Sequence, residues 1–569
     1  MASQTTSGAA PFDVPLVVGV TSHRNLAPDE IEPIRQRIAV FFARLKESFP
    51  EMPLVMLSAL AEGGDQLAAR EALAAGARLV APLPLLPDTY REDFIDDATR
   101  REFAELCGQA DVLQLPLLPD QSFADIAVHG EARDRQYAQA GVFIASHCHI
   151  LLALWDGKES TLLGGTAQVV RYALDGVMPG WIERRRSERV VLNRVDESIV
   201  FHIACSRSDS QGGSVPPAPG LAPLQARWVS QDHVRPADSG MPDEFRRMFA
   251  HMREFNLDQR RIALDDTGTV IDRLFSAADA LAIHFQQRVL RVMRSIHVLA
   301  ASTGIAFVWY ADLPADVPYQ VLGIYLFIAL FAAGMLLARL ARRRDWHRKY
   351  IDYRALAEGL RVQRFWRQAG VSSISPSAFA HDHFLRKTDI ELGWIRNVMR
   401  VPSLDRVSDA TVSTDDLGAV ISEWIGAPGQ AGQLDYYARK AEHRSRTQRT
   451  TQALGQASLW IGMAIVVLLA LFQSWLGSAT TNVLLAFLAV FGIIAAARES
   501  YAYRKGDKEL IKQYRYMLGI FSDARRKLQS APDDDSKREI LRVLGEAALA
   551  EHSEWALLHR QRPLDNARF

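Results

Sequence analysis

The stretch VLGIYLFIALFAAGMLLA, residues 321–338, carries no charged side chain. As a helix it approaches the roughly 20 residues needed to cross about 30 Å of hydrocarbon. Three similar runs lie at residues 295–311, 457–476 and 482–497, so the four fall into two pairs with short connections. Arg288, Arg291 and Arg294 precede the first run, and Arg339, Arg342, Arg343, Arg344, Arg348 and Lys349 follow the second. Arg444, Arg446 and Arg449 precede the third; Arg498, Arg504 and Lys505 follow the fourth. The connecting loops hold no Lys or Arg, and the first contains Asp312 and Asp316. Positive charge resists export, so this asymmetry predicts two transmembrane hairpins with both termini and the middle segment cytoplasmic. The competing reading is four buried helices of a soluble core. The first run, with His297, Ser302 and Thr303, is the least apolar.

Composition averages over this pattern. The 569 residues carry 66 Lys and Arg against 66 Asp and Glu, a neutrality that gives no support to a nucleic-acid-binding body. The local arginine clusters suit anionic lipid headgroups instead. Three cysteines, none in a C-x-x-C spacing, argue against a disulfide framework or structural zinc. The first residues, MASQTTSGAAPFDVP, lack the basic start and apolar core of a secretory signal, so the front half is expected inside the cell.

Residues 12–205 alternate short apolar runs with helical patterns, the signature of a parallel sheet flanked by helices. Strands are predicted at 16–20, 54–60, 78–82, 112–117, 150–155 and 200–204, and helices at about 29–48, 65–75, 90–107, 131–147 and 166–176. Ligands of such sheets bind beyond the carboxyl ends of the strands. There lie Thr21, Ser22, His23 and Arg24; Gly63, Gly64 and Asp65; Asp156 and Gly157; and Gly164, Gly165 and Thr166. Paired glycines before a helix let backbone N–H groups approach an anion, and the helix N-terminus adds partial positive charge. Arg24 suits a phosphate, and Asp156 or Asp65 suits ribose hydroxyls. Together they predict a site for a phosphorylated nucleoside. His147-Cys148-His149 offers metal-ligand atoms but leads into a buried strand, where core packing is the simpler role. Arg184-Arg185-Arg186 reads as a solvated face.

The set GVTSHRNL (19–26), SALAEGGDQLAAREALAAGA (58–77), PLPLLPDTYREDF (82–94), ILLALWDG (150–157) and GGTAQVV (164–170) resembles the SLOG superfamily. That superfamily includes the Lonely-Guy phosphoribohydrolases and the N-terminal sensors of melastatin-type TRP channels. The resemblance implies a Rossmann-like nucleotide-sensing domain over 12–205, with the twelve residues above as its binding positions. One departure bears on activity. The phosphoribohydrolases carry PGGxGT followed by catalytic glutamates, whereas this chain has a compact GGT and Gln168 where the first glutamate falls. A glutamine cannot serve as a general base, which favours binding over hydrolysis. Glu62 is a substitute carboxylate under the alternative, a membrane-anchored phosphoribohydrolase-like enzyme.

Residues 206–242, rich in Ser, Gly and Pro, read as a loop or disordered tether. Cytoplasmic coupling helices are expected at 243–294, the first hairpin at 295–340, a cytoplasmic helical region at 341–456, the second hairpin at 457–497 and cytoplasmic helices at 498–569. A Tyr-Arg pair follows each hairpin at a similar distance (Tyr353-Arg354, Tyr514-Arg515), suggesting two copies of one module. Residues 285–569 resemble the SLATT effectors found beside SLOG sensors in bacterial anti-phage conflict systems. The whole is therefore expected to be α/β followed by an all-α membrane region. The four runs make it a multi-pass protein, expected in the inner membrane, and a homo-oligomer is expected because linked subunits sharpen a ligand response. The resemblance implies gating by a nucleotide second messenger, a cyclic oligonucleotide or an ADP-ribose derivative, and no cofactor or metal is expected.

Overall fold

In this computed structural model the residues described are 12–182, 198–209, 211, 213–231, 233–262, 268–312, 319–371, 384–385, 390–405, 414–427, 429–472 and 474–560. The arginine run at 184–186 and Asp316 lie outside them. The chain forms two compact units, one of Met1–Ala278 with Ala355–Thr411 and one of Asp279–Arg354 with Val412–Phe569.

The first unit is built on strands β1 (Leu16–Ser22), β2 (Leu54–Leu57), β3 (Arg78–Leu83), β4 (Asp111–Gln114), β5 (Ile150–Trp155), β6 (Ile199–Ala204), β7 (Arg207–Ser208), β8 (Ser214–Val215), β9 (Ala226–Val229) and β10 (Val234–Pro236). Eight of these form one sheet in the order β10-β9-β6-β5-β1-β2-β3-β4, and β7 and β8 form a separate two-stranded sheet. β1 to β6 run parallel; β9 and β10 are antiparallel additions at the edge. Every residue of β2 and β6, and all but the last of β5, is buried, as expected of strands covered on both faces.

Helices α1 (Ile31–Ser48), α2 (Gly64–Ala74), α3 (Pro87–Arg91), α4 (Asp97–Gln109), α5 (Phe123–Ala127), α6 (Glu131–His147) and α7 (Thr166–Asp175) connect these strands. The single helix expected over 90–107 is broken in two. The Asp96 side chain accepts from the Thr99 N–H at 2.7 Å and caps a fresh start at α4. β2 also ends three residues short of Leu60, because Leu60 adopts φ 56°, a turn that no strand accommodates. On β1, Gly19 is required by space: a Cβ there would lie 2.7 Å from the Ile144 Cγ2 of α6.

The stretch 206–242 is not a simple tether. Its ARWV segment is β9, and its Trp228 ring stands 4.7 Å from Phe201, which stacks at 4.5 Å on Phe41 of α1. Prolines and glycines around this short strand mask it in the sequence, yet Trp228 is buried. The helical boundaries also shift. α8 (Asp243–Gln259) belongs to the α/β unit, where Asn256 accepts from the Val14 N–H and donates to the Val14 carbonyl, both at 2.9 Å. From the middle region, α12 (Gly393–Arg400) joins the same unit. Arg400 donates to the Cys148 carbonyl at 3.0 Å, and His149 bridges the Val17 N–H and the Asn397 carbonyl. Burial pushes His149 down to about 3, so it is a neutral core imidazole with both ring nitrogens engaged.

The second unit is helical. The chain enters it within α9 (Val270–Asp312), passes through α10 (Gln320–Arg343) and leaves within α11 (Trp346–Gln368). It returns for α13 (Thr414–Val420), α14 (Gln433–Phe472), α15 (Ser478–Lys505), α16 (Asp507–Ser530) and α17 (Asp534–Arg560). The first, second and fourth apolar runs lie in α9, α10 and α15, and the third lies in α14 as far as Phe472; each of these helices is long and apolar enough to cross a membrane. Core helices would be covered, but the most apolar stretches of α14 and α15 are 0% buried and that of α10 only 6%. Leu459, Trp460, Leu471 and Phe487 are all exposed. Helices apolar on every side and uncovered by protein need lipid around them. The first run is the least apolar and the most covered, with 28% buried. It approaches α10 closely at Gly323, where a Cβ would lie 3.0 Å from the Ala306 carbonyl oxygen.

The two hairpins share a construction. Arg354 of α11 reaches back to Asp279 of α9 at 3.2 Å, and Arg515 of α16 reaches back to Ser445 of α14 at 3.3 Å. In each, an arginine on the helix after the hairpin ties to the hairpin's first helix.

The place of β9 in the sheet has a measurable consequence. Trp228→Ala is expected to destabilise the α/β unit by about 3–5 kcal/mol, read as a lowered unfolding midpoint. A surface tether would give a change near zero.

Candidate ligand-binding site

The chain lays down β1, β2, β3 and β4 outward in one direction, then crosses back so that β5 lies on the other side of β1. Loops leaving β1 and β5 therefore diverge, opening a crevice beyond their carboxyl ends. A cavity of about 390 Å³ occupies this position. Thr21, Ser22, His23 and Arg24 line it from the end of β1, Asp65 from α2, Asp156 from β5, and Gly164, Gly165 and Thr166 from the start of α7. The loop is fixed by backbone bonds, with His23 donating to the Leu154 carbonyl at 3.1 Å and accepting from Gly64 at 3.3 Å. The Thr166 hydroxyl donates to the Ser22 carbonyl at 2.7 Å, which holds α7 against β1.

Gly63, Gly64 and Gly157 are not among the lining residues. Gly63 has φ 85°, and a Cβ there would come within 2.2 Å of the Arg24 carbonyl oxygen, so its role is to let the Arg24 loop pass. Gly164, at φ 73°, would meet the Ala138 backbone nitrogen of α6 at 2.9 Å. It seats the α7 N-terminus against α6. Thr166 and Ala167, the first two residues of α7, line the cavity, while the Gln168 and Val169 N–H groups donate to the Gly165 carbonyl at 2.9 and 3.1 Å.

The charges are arranged in three clusters. Asp156 is buried, ion-paired with Arg207 at 2.9 Å, and accepts from the Lys158 N–H at 3.1 Å. His23 accepts the Asp156 N–H through Nε2 at 3.1 Å. Burial lowers the His23 pKa, with Asp156 opposing, so the ring is neutral at pH 7. The second cluster is Asp93, which accepts from the Tyr137 hydroxyl and from buried Arg133 at 2.7 Å. It holds the Tyr137 ring, over which the Arg24 guanidinium stands at 5.9 Å. The Arg24 ion pair with Glu62 is loose at 3.9 Å and its side chain is 44% exposed, leaving its fork open to an incoming anion. The third is Asp65, fully buried, whose Oδ1 accepts from the Ser22 hydroxyl at 2.6 Å. Burial pushes Asp65 up to about 7, although Ser22 and Arg24 pull the other way.

Neither carboxylate position weighed for hydrolysis opens onto the cavity. Gln168 is buried and outside the lining; Glu62 accepts the Ile95 N–H at 3.1 Å and faces Arg24. Sequence reasoning missed Arg207, Lys158, Tyr90 and Tyr137, all of which line the cavity. Arg207 stands just beyond β6, at the same sheet edge as the other positions, but its Ser-Gly-Pro surroundings conceal it. Tyr137 sits in mid-helix, where no local signal marks a ligand-facing side chain.

The chain matches no protein-family model, no curated protein and no solved structure. By its geometry it is a doubly wound α/β unit with a crevice at the switch point, in one chain with four apolar helices.

The Asp65 carboxyl has a folded pKa above its ordinary 3.8, so the unfolded chain gives up this proton first. The resulting penalty on folding grows as pH rises from about 4 to about 7 and levels off above it. Lowering pH from 8 to 6 is expected to stabilise the wild-type α/β unit relative to Asp65→Asn by about 1 kcal/mol, measured by paired unfolding midpoints.

Proposed function

We propose that this chain is a ligand-responsive membrane protein: the α/β crevice binds a phosphate-bearing nucleotide derivative, and the helical unit answers in the bilayer. The observation that carries the reading is the convergence of Arg24, Arg207, Lys158 and the N-terminus of α7 on one crevice at the β1/β5 switch point. Phosphate sits at a helix N-terminus with arginine forks around it, while Asp65, Asp156 and the Tyr137 ring suit a sugar and a base.

The resemblance to SLOG sensors and SLATT effectors extends this proposal to biology. It makes the ligand a nucleotide second messenger, a cyclic oligonucleotide or an ADP-ribose derivative, and the role anti-phage defence by opening or disrupting the inner membrane. The arginine asymmetry supports cytoplasmic termini, which puts the crevice where such a messenger is made. A ligand shifts the membrane unit only by its differential affinity for two states, commonly about 1–3 kcal/mol per site. Linked subunits sharpen that response, so we propose a homo-oligomer.

Full-length protein in lipid nanodiscs, screened with cyclic oligonucleotides and ADP-ribose derivatives, tests the reading. At least one compound is expected to raise the unfolding midpoint and to trigger dye leakage from proteoliposomes. Arg24→Ala should weaken both by about tenfold or more without changing membrane insertion. Equal responses in wild type and Arg24→Ala sink the crevice. Release of free base from a nucleotide would replace it with the hydrolase.

A further inference from the structure

The larger cavity of this protein is elsewhere. It has a volume of about 790 Å³, and every lining residue belongs to the helical unit. Its walls come from α9, α11, α14, α15, α16 and α17, so it lies where the two similarly built halves meet. The described lining residues include Lys440, Arg444, Arg504 and Lys505 and one carboxylate, Glu551; Arg354 also lines the cavity and is ion-paired with Asp279 at 3.2 Å. Such an excess of positive charge in a concave site attracts and holds an anion.

The aromatic lining is equally specific. Tyr436, Tyr437 and Tyr514 cluster with ring centroids 5.4–6.4 Å apart. Lys440 stands 5.7 Å above the Tyr436 ring and Arg444 5.7 Å above that of Tyr514, so each is held over an aromatic face. Tyr350 receives a hydrogen bond from Gln286 at 3.0 Å, and burial raises its pKa and pushes Tyr514 up to about 12. Both phenols therefore remain O–H donors at neutral pH.

Position narrows the ligand. Met293 lines the cavity two residues before the first apolar run, and Ser500 lines it three residues after the fourth. At 1.5 Å per residue these lie about 3–5 Å from the apolar ends, within the thickness of a headgroup layer. The remaining lining extends away from the apolar ends, along the basic flanks of all four runs.

We propose that this cavity is a second, independent binding site, one that takes a phosphate ester at the membrane boundary. Lys440, Arg444, Arg504 and Lys505 supply the charge, and the tyrosines supply hydroxyl donors and apolar walls. Two sources offer that chemistry, an anionic phospholipid headgroup entering from the bilayer and a soluble phosphate compound. The site does not rest on the nucleotide crevice, and the Arg24→Ala background separates the two.

Full-length wild type, Arg24→Ala and Lys440→Gln/Arg444→Gln proteins are compared with two probes. One is phosphatidylglycerol in phosphatidylcholine nanodiscs, scored by native mass as lipid retained on the protein; the other is pyrophosphate, scored as a thermal shift. Wild type and Arg24→Ala are expected to bind at least one probe, and the double substitution to weaken it by about tenfold. Retention of phosphatidylglycerol identifies a headgroup, whereas a pyrophosphate shift without lipid preference identifies a soluble ester. Lys440→Arg/Arg444→Lys, which keeps the charges, should stay within about threefold of wild type. Arg504→Gln/Lys505→Gln gives the same reading if the first pair impairs folding. Failure of both probes on Arg24→Ala, or indifference to charge removal, overturns the site.

Discussion

β1 hydrogen-bonds in parallel to β2 on one side and to β5 on the other, and the α/β unit depends on that double pairing. Parallel neighbours must be joined by crossovers, so a chain that fills one side of β1 and then the other has to leave a gap between the diverging loops. Everything at the crevice follows from its edges. The His23 loop is clamped by β5 and α2, α7 begins beside it, and the Arg24 turn passes over a glycine that admits no side chain. A single residue carries much of the closeness: Gly19 lets α6 press on β1, which brings Tyr137 to the same opening.

The helical unit obeys a different constraint. Backbone polar groups cannot stay unpaired in hydrocarbon, so the apolar runs are helices; their sides, with little protein cover, need lipid. Charge then sorts to the ends. Three of the basic residues that flank the apolar runs, Arg444, Arg504 and Lys505, line one cavity.

Much of this was legible in the residues. The four apolar runs, the parallel strands and most helix boundaries show in periodicity, because hydrophobic spacing is set locally by 3.6- and 2-residue repeats. The glycine and aspartate clusters after β1, β2 and β5 were also visible, since a strand followed by Gly-Gly and a helix is a local pattern. The failures were equally physical. A Ser-Gly-Pro stretch concealed β9, whose burial comes from Phe201 and Phe41, both distant in sequence. α12 looked like part of a separate helical region until His149 and Cys148 proved to be its hydrogen-bond partners.

Sequence alone determined the six parallel strands, most of the helices between them and the four apolar runs, and which residues of the strand ends carry charge or lack side chains. Tertiary structure alone decided which of them meet. It set Arg207 on Asp156, put Tyr137 beneath Arg24, buried Asp65 far enough to titrate near neutrality, and turned Gln168 away from the crevice. Local patterns depend on neighbours along the chain, whereas burial, pKa and pairing depend on neighbours in space, and only the packed fold assigns those.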